Sequence, residues 1–189
     1  MSKTYQKKVN QEDAYSSPWK KSEAIKIRIW EVIWTLFISW LPKFGYKWYV
    51  LWLKIFGCDI ASNAFVHPSS KIYAPWLLHL GDKCCLGYKA EVYNLGPVKI
   101  GSRTTLAQYS YICNGTHDMT DLKLPLMVGD IQIGDDVFIG ARALIMPGVD
   151  IASGCVIGAG AVLTKDTESY MIYGGNPAKA IKQRKIRNA

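Results

Sequence analysis

Three histidines, His67, His79 and His117, are the side chains here that exchange a proton near neutral pH. His67 stands in Val-His-Pro-Ser and His79 in Leu-His-Leu, settings that suit a corner or surface role. His117 differs, because it closes the run Cys113-Asn-Gly-Thr-His-Asp118 where a regular pattern stops and an irregular stretch begins. A ring held by a rigid framework beside a loop is where catalysis tends to sit. Cys113, four residues before His117, offers a second chemistry: a thiolate that takes up the transferred group itself. Zinc hydration chemistry would need three histidines at fixed spacing, two of them close together, and these are separated by twelve and thirty-eight residues.

The pattern that positions His117 is a repeat. From Ile133 to Leu163 an aliphatic residue returns at every sixth position, with a small or β-branched residue four places later and turn formers between. That period fits a short strand and a tight corner, repeated, and three such edges close an eighteen-residue triangular turn. The register extends upstream through Ile60, Val66, Ile72, Leu80, Leu86, Val92, Ile100, Leu106 and Ile112, if two extra residues end each of the first two turns. The large break runs from Asp118 to Gly129, an extruded loop. Cys84 and Cys155 fall in the small inward slot and are packing residues. The reading is all-β: a parallel β-helix of about five coils.

Residues 58–168 form that coil. Residues 1–22 are polar and aperiodic, a mobile or surface-draped arm. Residues 23–57 are an aromatic helical segment: Arg28, Glu31, Thr35 and Ser39 make a narrow polar stripe between Ile25 and Leu41, Pro42 and Gly45 break the helix, and a second short helix runs from Lys47 to Phe56. With thirteen uninterrupted apolar-rich residues including Glu31, the first helix is too short to span a bilayer. It either caps the first coil or lies on a membrane surface, and both readings stay open. Residues 169–189 are basic and are expected to end in a short helix.

The net charge of +8 lies in the tails, with seven basic and three acidic groups in residues 1–28 and five and none in 169–189. No recognition motif for nucleic acid accompanies it. The cysteines show no paired zinc spacing and the first fifteen residues are polar, so the expectation is a cytoplasmic protein with reduced thiols and no metal. Asn114-Gly-Thr matches a glycosylation sequon but reads more economically as a corner.

Tyr93-Asn-Leu-Gly96, Thr116-His-Asp118, Ile157-Gly-Ala-Gly160, Thr164-Lys-Asp166 and Gly175-Asn-Pro-Ala178, with the hexads, resemble the hexapeptide-repeat acyltransferases. Within them the chain most resembles the sugar O-acetyltransferases of exopolysaccharide biosynthesis, the colanic-acid type, and through them the maltose and galactoside acetyltransferases. The match covers roughly residues 24–186. It implies left-handed coiling, acetyl-CoA as co-substrate, a sugar or lipid-linked oligosaccharide acceptor and a homotrimer. It also implies that His117 is the general base of direct transfer from thioester to hydroxyl. Asn94 and Asp118 become candidates on the acceptor side, although Asn94 reads equally well as a turn asparagine. The backbone at Ala141 and Ala159 would follow the pantetheine arm, with Thr164 and Lys165 near the nucleotide. Lys179 and Lys182 stand where relatives often carry arginine, and keep the charge without the bidentate fork. His117 is expected to take its ring partner from backbone or a neighbouring subunit, with the loop closing as a lid through Leu122, Leu124, Pro125, Leu126 and Met127.

Overall fold

The computed structural model describes residues 3–7 and 19–186. Its body is a triangular parallel β-solenoid. The first coil consists of β2 (Asp59–Ile60), β3 (Phe65–Val66) and β4 (Lys71–Ile72). The second holds β5 (Leu78–Leu80), β6 (Cys85–Leu86) and β7 (Glu91–Tyr93), and the third β8 (Val98–Ile100), β9 (Thr105–Leu106) and β10 (Tyr111–Cys113). A hairpin, β11 (Gly115–His117) and β12 (Leu126–Gly129), interrupts the coil before β13 (Ile131–Ile133), β14 (Phe138–Ile139) and β15 (Leu144–Ile145). The fifth coil is β16 (Asp150–Ile151), β17 (Val156–Ile157) and β18 (Val162–Leu163), and β19 (Met171–Gly175) begins a sixth. Face one stacks β2, β5, β8, β13 and β16; face two β3, β6, β9, β14, β17 and β19; face three β4, β7, β10, β15 and β18.

The hexad register read from the sequence is the hydrogen-bonded register. Ile60, Leu80, Ile100, Ile133 and Ile151 pair successively along face one, and Ile72, Val92, Ile112, Ile145 and Leu163 along face three. All fifteen inward aliphatic positions are buried. Strands this short survive because those of the middle coils are paired on both sides and each inward residue sits in a close-packed column. Cys84 and Cys155 are buried beside the columns, and burial pushes the Cys84 thiol up to about 12.

Corners turn through the left-handed region whether or not glycine is present. On the corner between faces one and two, Lys83, Arg103 and Asp136 have φ of 53°, 56° and 57°, with Gly154 stacked after them at 75°. The corner between faces two and three repeats this with Lys89, Tyr109, Arg142 and Gly160.

Helices α1 (Lys21–Phe37) and α2 (Tyr46–Ile55) cover the open edge of the first coil. Indole N–H groups of Trp30 and Trp34 donate to the carbonyls of Ile72 (2.7 Å) and Ser70 (3.1 Å), and the Tyr49 hydroxyl donates to Ser70 (3.0 Å). These are carbonyls of the first coil that no preceding coil covers. Among the described residues no helix is long and apolar enough to cross a membrane.

The C-terminal tail departs from its expectation, while the described start of the N-terminal arm lies along the hairpin surface. Of the N-terminal arm, β1 (Thr4–Gln6) is an ordered strand that pairs antiparallel with β12, while residues 1–2 and 8–18 lie outside the described residues. The expected C-terminal helix is absent from the described residues: β19 and β20 (Ala178–Gln183) form an antiparallel hairpin on the edge of face two. Residues 187–189 lie outside the described residues.

Candidate active site

His117 ends β11, and its strand partner is Leu126 on β12. The extruded loop is therefore a hairpin rising from the corner between faces three and one. The imidazole is exposed, and its Nδ1 lies 2.6 Å from the carbonyl oxygen of Leu124. A carbonyl only accepts, so the neutral ring carries its hydrogen on Nδ1 and presents the Nε2 lone pair outward. Leu124 adopts φ +45°, a strained value for a branched residue, and this turns its carbonyl back toward His117. Its own N–H is held by the Asp121 carbonyl at 2.9 Å.

The hairpin is braced on all sides. Asp118 donates its N–H to the Pro125 carbonyl, and its carboxylate accepts from the N–H (2.9 Å) and hydroxyl (2.7 Å) of Thr120. Those bonds hold the Asp118 carboxyl below the usual carboxylate range. Leu126 and Val128 pack with Leu95 under the hairpin, flanked by Trp19, Tyr73 and Tyr93. Of the apolar loop residues, Pro125 and Leu126 are thus turned into the chain's own packing, and Leu122 alone is fully exposed. On the outer edge the Tyr5 hydroxyl donates to Asp130 (3.0 Å), and the backbone N–H of Lys7 to Leu126.

Asn94 is corrected by the structure. It is fully buried, its Nδ2 donating to the Ala74 carbonyl (2.7 Å) and its Oδ1 accepting from the Ala74 N–H (2.9 Å), so it offers no surface to a sugar. Asn114, one coil on, is buried likewise: Oδ1 accepts from the N–H groups of Leu95 and Gly96, and Nδ2 donates to Pro97. These stacked amides shape the corner from which the hairpin departs, the corner role read for Asn114, and leave Asn94 no free amide for an acceptor.

The other candidates fall into two groups. Ala141 and Ala159 stack on the corner between faces two and three, the Gly160 N–H donating to Ala141 at 2.8 Å. Among the described residues the N–H groups of Ala141 and Ala159 meet no protein acceptor, which leaves two unpaired backbone donors on adjacent coils. Gly140 permits the stacking, since a Cβ there would lie 2.6 Å from the Ala159 nitrogen. The next layer of the same corner is Gly174, opposite Lys179 on β20, and Lys182 pairs with Ile172 beside it. Thr164 and Lys165 stand elsewhere, lining a groove of about 410 Å³ with Lys3, Pro147 and Asp166 at the corner that bears the hairpin. His117 and the Ala141–Ala159 corner thus occupy opposite ends of face three, an edge of roughly 15–20 Å.

His67 and His79 stay apart from this chemistry. His67 Nδ1 accepts from Ser69, and burial lowers the ring's pKa; His79 Nδ1 pairs with Asp59 at 2.7 Å. Cys113 directs its thiol to the Gly115 carbonyl (3.2 Å). Among the described residues no three His, Cys, Asp or Glu side chains gather as a metal site. Sequence reasoning expected a backbone partner for His117 but named Leu124 only as an apolar lid residue, because the contact forms across a turn whose φ no residue type announces; it read Asn114 as a corner without its partners, which lie a coil away.

A stacked hexapeptide coil with a histidine on an extruded hairpin defines a class, the hexapeptide-repeat transferases. Residues 130–165 match the family described as "Bacterial transferase hexapeptide (six repeats)". Over 166 residues the chain is 32% identical to "Putative colanic acid biosynthesis acetyltransferase WcaF" of Escherichia coli K12, covering 88% of this chain and 91% of that one. The chain belongs to this family, and with it to the acyltransferases. Its fold matches a galactoside acetyltransferase solved with coenzyme A (TM-score 0.79, 24% identity, 88% of this chain and 84% of that one). It also matches a maltose O-acetyltransferase from Clostridium difficile 630 (TM-score 0.75, 23% identity, 88% and 90%).

Proposed function

We propose that the protein is an acetyl-CoA-dependent O-acetyltransferase acting on a sugar hydroxyl of an exopolysaccharide or capsule precursor, with His117 as general base. The observation that carries this is the Nδ1–Leu124 bond, which leaves Nε2 as a fixed, outward proton acceptor. A sugar hydroxyl is a poor nucleophile at neutral pH. As its oxygen bonds to the acetyl carbonyl carbon, Nε2 takes its proton; the C–S bond then breaks, and the imidazolium returns the proton to the departing thiolate. Such proton transfer is worth about 10² to 10⁴ in rate. The kinship with the colanic-acid acetyltransferase supports the acceptor class, and that of the coenzyme A complex supports the donor.

Coenzyme A is placed along the free N–H groups of Ala141 and Ala159, with Lys179 and Lys182 at the phosphate end. Because that corner lies across face three from His117, the complete site is assembled between two copies of a homotrimer. Outward residues support this: around the coenzyme A corner they are Phe138, Val156 and Ile172 on face two and Leu144 and Val162 on face three, whereas face one shows Lys99, Gln132 and Asp150. Leu122, exposed at the hairpin tip, closes on the neighbour. Asp118 is a positioning residue on the acceptor side, and Thr164 and Lys165 flank the donor near the hairpin corner. The five unpaired thiols fit the reducing cytoplasm.

Incubation with acetyl-CoA and a panel of lipid-linked repeat units, read by mass spectrometry, tests the reading. An acetylated sugar is the predicted product. Absence of both acetylated product and thiol release across the panel would sink it.

A further inference from the structure

The two N-terminal helices carry apolar surface on two sides, and only one side is used. On α1 and the turn that follows it, Ile27, Trp30 and Ile38 face the coil and are buried. Ile25, Ile29, Val32, Leu36 and Trp40 recur at helical spacing on the opposite side and are exposed. The α2 segment repeats the arrangement: Tyr49, Val50 and Leu53 are buried, while Phe44, Trp48, Leu51 and Ile55 form an outer stripe. All nine outer residues are between 45% and 84% exposed, Phe44 and Trp40 most of all. A chain finished as a soluble surface rarely leaves this much contiguous apolar area.

The two stripes meet at the turn of the helical hairpin. Phe37 stacks on Trp52 (6.5 Å between centroids), and Trp52 meets Trp48 edge-on at 5.9 Å, which joins the α1 side to the α2 side through one run of rings. Trp40 and Phe44 project beyond it. Residues 20–57 hold seven basic groups against two acidic, Glu23 and Glu31. Lys20, Lys21, Lys26, Arg28, Lys43, Lys47 and Lys54 are all exposed. Glu31 is already engaged by Arg28 at 2.7 Å, so the uncompensated charge around the aromatic turn is positive.

We infer that this face is a docking surface for an anionic lipid bilayer, the helical hairpin lying in the interface with Trp40, Phe44 and Trp48 at headgroup depth and the lysines on lipid phosphates. Tryptophan suits that boundary because its ring is apolar and its N–H is not. Helices too short to cross can still lie in the plane. Pairing of two copies through the same face would set seven cations against seven. The inference stands whether or not the acyl-transfer reading does. If both hold, the hairpin sets the solenoid against the leaflet that carries a lipid-linked acceptor.

The test is flotation of the full chain with mixed phosphatidylglycerol–phosphatidylcholine vesicles and with pure phosphatidylcholine vesicles. The unaltered chain is expected to float with the anionic vesicles at low salt and to be released only in part by high salt, since inserted rings are not screened. A Trp40→Ser, Phe44→Ser double variant, altered only at exposed positions, is expected to lose at least about tenfold of that partition while keeping its melting temperature. If the variant does not fold, quenching of the unaltered chain's tryptophan emission by brominated acyl chains decides in its place. A chain that stays at the bottom of the gradient, rings that brominated lipid leaves unquenched, a folded double variant that floats as before, or a lipid-free assembly that enlarges through this face would each overturn the inference.

Discussion

At the scale of single residues, the proposed transfer turns on how one imidazole is held. His117 was legible in the sequence because it stands where the six-residue period fails, and a break in a regular scaffold is visible in one dimension. Leu124 was not, since its carbonyl reaches His117 across a turn with positive φ. Asn94 misled because a corner asparagine and a sugar ligand look alike until both amide ends are found on Ala74. Asp118 uses a single carboxylate oxygen, Oδ1, for both bonds to Thr120, and asparagine supplies the same acceptor. Asp118→Asn is therefore expected to keep near-normal kcat and Asp118→Ala to lose about tenfold through misplacement of the base, checked by steady-state kinetics. Equal losses in both would point to a need for the charge itself. Cys113 donates to backbone and not to His117, so Cys113→Ala should retain turnover, with no acetylated enzyme detected in intact-mass spectra. An acyl-enzyme in the parent chain would replace direct transfer by a two-step path.

At the scale of elements, the coil was readable almost to the residue and its ends were not. An inward aliphatic residue must recur at the strand period, so the pattern is printed in the chain, and the parallel register follows it. The C-terminal stretch from Ala178 is rich in Ala, Lys, Gln and Arg, good helix formers. It nevertheless becomes β20, because the open edge of β19 offers backbone partners that outweigh propensity. Corners follow the same logic, the scaffold imposing left-handed φ on residues that avoid it. Lys83→Gly removes that penalty at an exposed position whose side chain has no ion pair among the described residues, and should stabilise by up to about 1 kcal/mol, measured by chemical denaturation; destabilisation would mean that the corner is not strained. Gly140→Ala should do the reverse, costing about 1–3 kcal/mol, because its Cβ would press on the Ala159 backbone. Coenzyme A affinity should fall with stability there if that corner is the donor site.

At the scale of the whole molecule, one chain has His117, the proposed base, at one end of face three and the unpaired backbone donors of Ala141 and Ala159 at the other. In the proposed trimer a neighbouring copy would bring the two together, and the apolar outward residues around the Ala141–Ala159 corner, unlike the polar ones on face one, would lie in that contact. Mixing His117→Ala chains with Ala159→Trp chains should restore activity that neither parent has, since some interfaces of the mixed assembly regain an intact copy of each half. Two inactive parents giving an inactive mixture, with trimers confirmed by light scattering, would place the whole site within one chain. Beneath assembly and membrane alike lies the claim that transfer runs through His117, whose ring is exposed and carries no packing of the coil. The most direct measurement is kcat for acetyl transfer by His117→Ala beside the unaltered enzyme, with melting temperature and coenzyme A binding recorded on the same preparations. A fall of at least about 10²-fold in kcat with fold and binding intact is the predicted result, and near-normal turnover of the variant would contradict the account.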